Sequence, residues 1–292
     1  MKSLARRVPG PLLFPLLAAM SWGQEREVQQ HVASDPEGRL LVYYAAALAF
    51  SGIGPGRQAS GWEAWVGGEV SFVPPLSRAE RAPGTDKPEA SNLAPVLPRL
   101  RFALTTPGGV HVEAGWVPPL RVFDARAHLL AIAVSRQFAA GAGILVTPRL
   151  AASGGRVSGA ITCYDDLPDA GPDHAVYYAT ICHGRESEDH FDPRQFSAEV
   201  VVARRRGRVL TPYFGVGARH DDVRFDIGVQ RTDGTRETDQ PILLLEATRF
   251  FATAGVEWDS GQLPRVGAEI YYAPGSLITV RGRLDVLGWR PR

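Results

Sequence analysis

From Arg265 to Val286 the chain alternates apolar and polar residues through a tight turn. Val266, Ala268, Ile270 and Tyr272 hold one phase, against Arg265, Gly267, Glu269 and Tyr271. After Pro274-Gly275-Ser276 the alternation resumes, with Ile278, Val280, Gly282, Leu284 and Val286 against Thr279, Arg281, Arg283 and Asp285. Side chains of a strand point to its two faces in turn. A period of two kept across a turn therefore predicts an antiparallel hairpin with one apolar and one polar face. Such a sheet has two homes. A soluble sandwich buries the apolar face, whereas a closed barrel in lipid turns it outward.

The same pattern fills most of the chain. Trp62, Ala64, Val66, Val70 and Phe72 oppose Glu63, Trp65, Glu69 and Ser71. Around Pro107-Gly108-Gly109, an outward set of Leu100, Phe102, Leu104, Val110, Val112 and Trp116 opposes Arg99, Arg101, His111 and Glu113. Val122–Phe138 reads as a longer strand, with Arg126, His128 and Arg136 on its polar phase. Ala142–Ala151 and Arg156–Cys163 flank Ser153-Gly154-Gly155 as two strands or as one strand with a bulge. Gln195–Ala203, Val209–Arg219, Val223–Gln230 and Ile242–Trp258 follow, and the closing hairpin comes last. The count is about 12, within a range of 10–14. Two long polar connections interrupt the series, at 74–97 and 164–194. With twelve strands and an external first loop, the second falls on the periplasmic side, against the usual arrangement.

The first 23 residues read as a secretory signal peptide. Lys2, Arg6 and Arg7 make its charged start, Pro11–Met20 its apolar centre, and Ser21 and Gly23 the small residues before cleavage. Removal leaves 29 basic and 31 acidic residues, a near-neutral balance that offers nothing to nucleic acid. No later apolar run is long enough for a membrane helix. In an exported chain the two cysteines, Cys163 and Cys182, read as a disulfide stapling the second long loop. Residues 24–60 form an N-terminal segment ahead of the strands at 61–292. In it Asp35 and Pro36 start a helix over about 36–50, and Gly52, Gly54, Pro55 and Gly56 end it. That helix plugs or caps the barrel mouth, or packs against its outside.

Strands of about 9–12 residues suit a tilted crossing of the hydrocarbon layer, and only a closed sheet satisfies its backbone there. Trp62, Phe72, Trp116, Phe138, Tyr213, Trp258, Tyr272 and Trp289 fall near strand ends, where an interfacial girdle belongs. Together with the export signal, these features predict an all-β fold: an antiparallel transmembrane barrel with a short N-terminal helix. Over residues 60–289 the chain resembles bacterial outer-membrane β-barrels. The resemblance implies the outer membrane of a Gram-negative-type bacterium, with outer-membrane lipid and the barrel assembly machinery as partners. The last strand is similar to the assembly signal of such barrels, but Arg290-Pro291-Arg292 extend it and Trp289 falls off its apolar phase. A weaker likeness is to FadL-like transporters of hydrophobic compounds. It rests on Gly141-Ala142-Gly143 leading toward the cysteine loop and on residues 35–50 as a plug.

The candidate lumen-lining residues are Arg99, Arg101, Glu113, Arg126, Arg281, Arg283 and Asp285. They line a polar path, or they fill a narrow barrel with ion pairs. Asp165, Asp166, Asp169, Asp173, Glu186, Glu188, Asp189 and Asp192 crowd the second long loop without regular ligand spacing, so a solvated loop is expected rather than a metal site. His128 or His220 with a serine would be needed for a lipid-modifying enzyme. No GxSxG, HExxH or spaced acidic pair supports one, so neither catalysis nor a cofactor is expected. The expected function is passive transport of small molecules, hydrophobic ones among them, of unknown identity, with a structural or adhesive surface barrel lacking an open pore as the alternative.

Overall fold

The computed structural model describes residues 26–57, 61–76, 95–123, 125–165, 172–205, 209–235, 237, 240–259 and 264–289. The signal peptide expected over 1–23 lies outside them. The strands begin with β1 (Val28–His31), β2 (Glu63–Phe72), β3 (Val96–Thr105), β4 (Val110–Val117), β5 (Arg121–Val122) and β6 (Ala125–Arg136). They continue with β7 (Phe138–Gly141), β8 (Ile144–Gly159), β9 (Asp189–Arg204) and β10 (Leu210–Asp226). The last three are β11 (Ile242–Trp258), β12 (Arg265–Ala273) and β13 (Leu277–Trp289). Helix α1 spans Pro36–Leu48 and α2 spans Pro172–Thr180.

Ten antiparallel strands close the barrel. β2, β3, β4, β6 and β8 through β13 pair in turn, and β13 returns to β2. β1, β5 and β7 lie outside this circuit. The count of twelve is not what is found, because two pairs of expected strands are each one strand. β8 runs through Ser153-Gly154-Gly155 and β10 runs through His220-Asp221-Asp222. Both strands extend beyond the apolar band, where polar residues and glycine are compatible with sheet. At Gly155 (φ +145°) a β-carbon would lie 2.1 Å from the His128 carbonyl oxygen, so glycine lets β6 and β8 approach there.

Fusing these strands restores the loops to one end. The connections after β2, β4, β8, β10 and β12 share one rim, and both long loops are among them. The turns after β3, β9 and β11, the start of β2 and the end of β13 share the other. This is the arrangement of long external loops and short periplasmic turns. Gly141-Ala142-Gly143 forms a turn at the short-turn rim, with φ of 89°, 50° and 75°.

The exterior of the wall is apolar. Leu130, Ile132, Val134, Leu150, Phe196, Val200, Val202, Phe214, Val216, Ile270, Val280 and Leu284 are all exposed, while charged residues occupy the interior. A barrel in lipid requires that inversion, and a soluble sandwich forbids it. The architecture is that of an outer-membrane β-barrel. Trp62, Phe72, Phe138, Trp258, Tyr272 and Trp289 are exposed. Trp289 returns to the outer face because a register shift between Asp285 and Leu287 adds one residue to β13. Tyr213 is no girdle residue; it is buried in the lumen and donates to Glu269 Oε2 at 3.1 Å.

The phase of β6 is opposite to expectation. Ala125, Ala127, Leu129, Ala133 and Ser135 point inward, and Arg126, His128 and Arg136 point outward. The outward charges flank Leu130, Ile132 and Val134, so they sit at the two rims of the apolar band. Arg126 is therefore not lumen-lining: it is exposed and donates to the Pro119 carbonyl at 3.2 Å.

The N-terminal segment runs inside. β1 pairs in parallel with Ile242–Leu245, at the long-loop end of β11. Arg26 is held there by Asp226 (2.6 Å) and by the Gln240 and Ile227 carbonyls (3.0 and 3.2 Å). Helix α1 then descends into the lumen, and residues 49–57 continue to the short-turn rim. There Arg57 meets Glu63 (3.0 Å) and Asp259 (2.6 Å). The chain ahead of β2 thus crosses the whole barrel. With cysteine placed at exposed Gln30, a membrane-impermeant maleimide is expected to label intact cells. Gly108→Cys, in the β3–β4 turn, should label only after the outer membrane is opened. The native cysteines stay silent because they are bonded to each other. The reverse pattern would contradict the threading.

Candidate functional site: a lumen closed by the N-terminal segment

Ten strands enclose more space than wall side chains fill, and a helix about 10 Å across fits the remainder. The inner wall is built in two tiers. Toward the long loops it is apolar, and Leu41, Val42, Tyr43, Ala45, Ala46 and Ala47 of α1 pack with Leu129, Val157, Phe191, Val223, Leu245, Phe251 and Tyr271. Pro36 opens the helix with its φ already set. At Gly38 a β-carbon would lie 1.9 Å from the Val32 carbonyl oxygen, which makes glycine necessary where β1 turns into the helix. Gln195 donates to the Ala45 carbonyl at 2.7 Å from the wall.

Toward the short turns the wall is charged, and its charges clothe the backbone of residues 48–57. Arg99 reaches the Leu48 carbonyl at 3.1 Å and Arg101 that of Ser51 at 3.2 Å. Arg149 holds those of Gly52 (2.6 Å) and Gly54 (2.7 Å), and Arg283 that of Ile53. Gln137 (3.0 Å) and Thr147 both donate to the Pro55 carbonyl. Phe50 lies under two guanidinium groups, 5.1 Å from Arg99 and 4.8 Å from Arg101. An extended segment inside a barrel has no ladder partner, and unsatisfied carbonyls are costly where water is excluded. The arginines supply what a neighbouring strand would.

The same arginines are paired across the wall. Glu69 accepts from Arg99 (3.0 Å), Arg101 and Ser71 (3.0 Å). Arg101 also bonds Glu113 (3.1 Å), Arg149 bonds Glu199 (2.6 Å), and Arg283 bonds Glu257 (2.6 Å). Higher up, Arg219 makes a fork with Asp221 at 2.7 and 2.9 Å. One small pocket in the charged tier, bordered by Arg57, Trp65, Arg101, Glu113 and Arg283, has a volume of about 10 Å³. That is room for about one water molecule.

Of the sequence candidates, Arg99, Arg101, Glu113, Arg281, Arg283 and Asp285 are buried in this tier, and Arg126 is outside. Arg149, Glu257 and the carbonyls of 48–55 were not singled out. Arg149 was legible: Leu145, Thr147, Arg149 and Ala151 share a phase, but a single charge in an apolar run does not stand out. The carbonyls were not, because Gly52–Gly56 reads only as a helix stop.

At the long-loop rim Cys163 and Cys182 are disulfide-bonded. Asp189 accepts from the backbone N–H groups of Ile161 (2.9 Å), Thr162 (2.6 Å) and Gly228 (2.7 Å), tying the two largest described loops together. A 2.8 Å contact joins His183 to Glu237, and this hydrogen bond holds the Glu237 carboxyl below the usual carboxylate range. Asp166 and Asp169 lie outside the described residues, among which no three His, Cys, Asp or Glu side chains form a group able to hold a metal. His220 faces outward against Thr248 at 3.0 Å, and His128 is exposed on β6.

No protein-family model and no curated protein matches the chain. Similar solved structures include the translocator domain of autotransporter NalP from Neisseria meningitidis, at 10% identity and a TM-score of 0.36, covering 87% of this chain and 94% of that one. The P. putida toluene transporter TodX is 10% identical, with a TM-score of 0.32 and coverage of 91% and 74%. Ail, the attachment invasion locus protein of Yersinia pestis, is 8% identical, with a TM-score of 0.30 and coverage of 78% and 97%. The likeness is one of fold alone.

Proposed function

We propose that the protein is an outer-membrane barrel closed at rest by its own N-terminal segment, and that small polar solutes pass only when residues 36–57 leave the lumen. The observation that carries this reading is the capture of consecutive carbonyls, from Ser51 to Pro55, by wall side chains. Once vacated, the charged tier presents Arg99, Arg101, Arg149 and Arg283 together with Glu69, Glu113, Glu199 and Glu257 to solvent, which favours polar solutes over hydrophobic ones. A permanently closed surface barrel is the second reading. It is favoured by the double anchorage of the segment, through β1 on β11 and through Arg57 on Asp259.

Conductance of the refolded mature chain in a planar bilayer, with and without residues 24–56, separates these readings. The intact chain should be silent and the truncated one should conduct. Conductance by the intact chain would overturn closure. Silence of a truncated chain that still shows heat-modifiable mobility would remove the passage and leave the surface barrel.

A further inference from the structure

We propose that the outer face of β6, β8, β9 and β10, just beyond the apolar band at the long-loop end, binds the phosphorylated headgroup of an outer-leaflet lipid. The pairing register aligns the groups. His128 opposes Arg156, and Asp192 opposes Arg224 on the next pair of strands. One level nearer the apolar band, Arg194 lies between Gly154 and Asp222. Residues directly opposite across strands sit about 5 Å apart, so four neighbouring strands present Arg156, Arg194 and Arg224 as one patch, with Arg126 one level above.

The charges are uneven and underused. Arg156 is committed to Asp192 through two 2.6 Å contacts. Arg224 reaches only Asp226, at 3.9 Å, and that carboxylate is taken by Arg26 at 2.6 Å. Arg194 has no ion pair among the described residues, although Asp222 is its register neighbour. Glu246, opposite Asp222 on β11, bounds the patch on one side with negative charge. Leu130 stands level with Arg194, Phe196 one row below it and Leu150 two rows below, exposed at 59%, 60% and 66%. Free guanidinium groups above an acyl-facing apolar surface fit an amphiphile whose phosphate sits at the band's edge, since arginine pairs with phosphate through a planar two-point contact. A soluble anion needs no apolar surface beneath it. Arg126 also borders an open cleft of about 710 Å³ whose lining mixes Arg121 and Arg185 with Asp165, Glu186 and Glu188, so the uncharged part of a bulky headgroup has somewhere to extend.

The test is native mass spectrometry of the full mature chain in detergent. Probes are bis-phosphorylated lipid A, its dephosphorylated form and inorganic phosphate. The phosphorylated lipid should be retained, and Arg194→Gln with Arg224→Gln should weaken retention by about fivefold or more. Arg204→Gln, an exposed change at the opposite rim, should leave it unchanged. Equal retention of phosphorylated and dephosphorylated lipid by the wild-type chain would overturn the proposal whether or not the variants fold. So would equal loss in Arg204→Gln, or full displacement of lipid by inorganic phosphate, which would reveal a plain anion site.

Discussion

Replacing Glu69 with alanine should destabilise the barrel by about 3–5 kcal/mol, the usual cost of removing one partner from a buried ion pair. Glu69 is 2% exposed and takes hydrogen bonds from two arginines and a serine. Without it, Arg99 keeps the Leu48 carbonyl, while Arg101 keeps Glu113 and the Ser51 carbonyl. Neither retains its share of the negative charge, so two guanidinium groups remain close in a space that excludes water. The readout is the urea midpoint of refolding into detergent, followed by tryptophan fluorescence and by the gel shift of the folded barrel. Glu69→Gln keeps the acceptor oxygen and should lie between the two. Adding Arg101→Ala to Glu69→Ala should cost less than Arg101→Ala alone, because the second change removes a cation the first left uncompensated. Strict additivity would mean that water screens the charges and that the lumen is open around them. Val70, the next residue, faces lipid, and its change to alanine should cost far less.

The alternation of Val266–Val286 made the fold class legible, because period two survives whichever solvent lies on either side. The identity of that solvent was legible only from the export signal, the strand lengths and the aromatics near strand ends, because charges such as Arg99, Glu113 and Arg281 on one phase suit a sandwich in water equally well. Strand number was not, because β8 and β10 outrun the apolar band and carry glycine or aspartate where a strand within the band would end. The phase of β6 was misread for a related reason. A barrel that holds a helix needs small residues inside, and Ala125 and Ala127, alternating with Arg126 and His128, read as the apolar, outward phase. Arg126 then took the inward place by its charge alone. The deepest gap is at Gly52–Gly56. Its role depends on backbone carbonyls, which every residue has, and on arginines 40 or more positions away.

Ala46→Glu is the change expected to open the barrel without dismantling it. Ala45 and Ala46 are fully buried, in the apolar tier where α1 packs against Val223, Leu245 and Phe251. A carboxylate there has no cation designed to meet it, and its burial costs several kcal/mol. The wall is held by ten strands of cross-strand bonds that do not involve the helix. The helix is held by its apolar contacts, by Gln195, and by anchors at either end. The penalty therefore falls on the helix–wall contact, and the helix should leave while the strands stay paired. The measurement is conductance in a planar bilayer alongside the heat-modifiable gel shift: channel events from Ala46→Glu, none from the wild-type chain, and folded mobility from both. Ala46→Ser, close in size and uncharged, should remain silent. A folded Ala46→Glu barrel without conductance would mean that residues 49–57 seal the lumen alone, gripped by Arg101, Arg149 and Arg283 after the helix has gone. Combining it with Arg149→Ala, which frees the Gly52 and Gly54 carbonyls, should then release the seal. Silence in that double variant would place the closure in the wall charges themselves and make the barrel a permanently closed one.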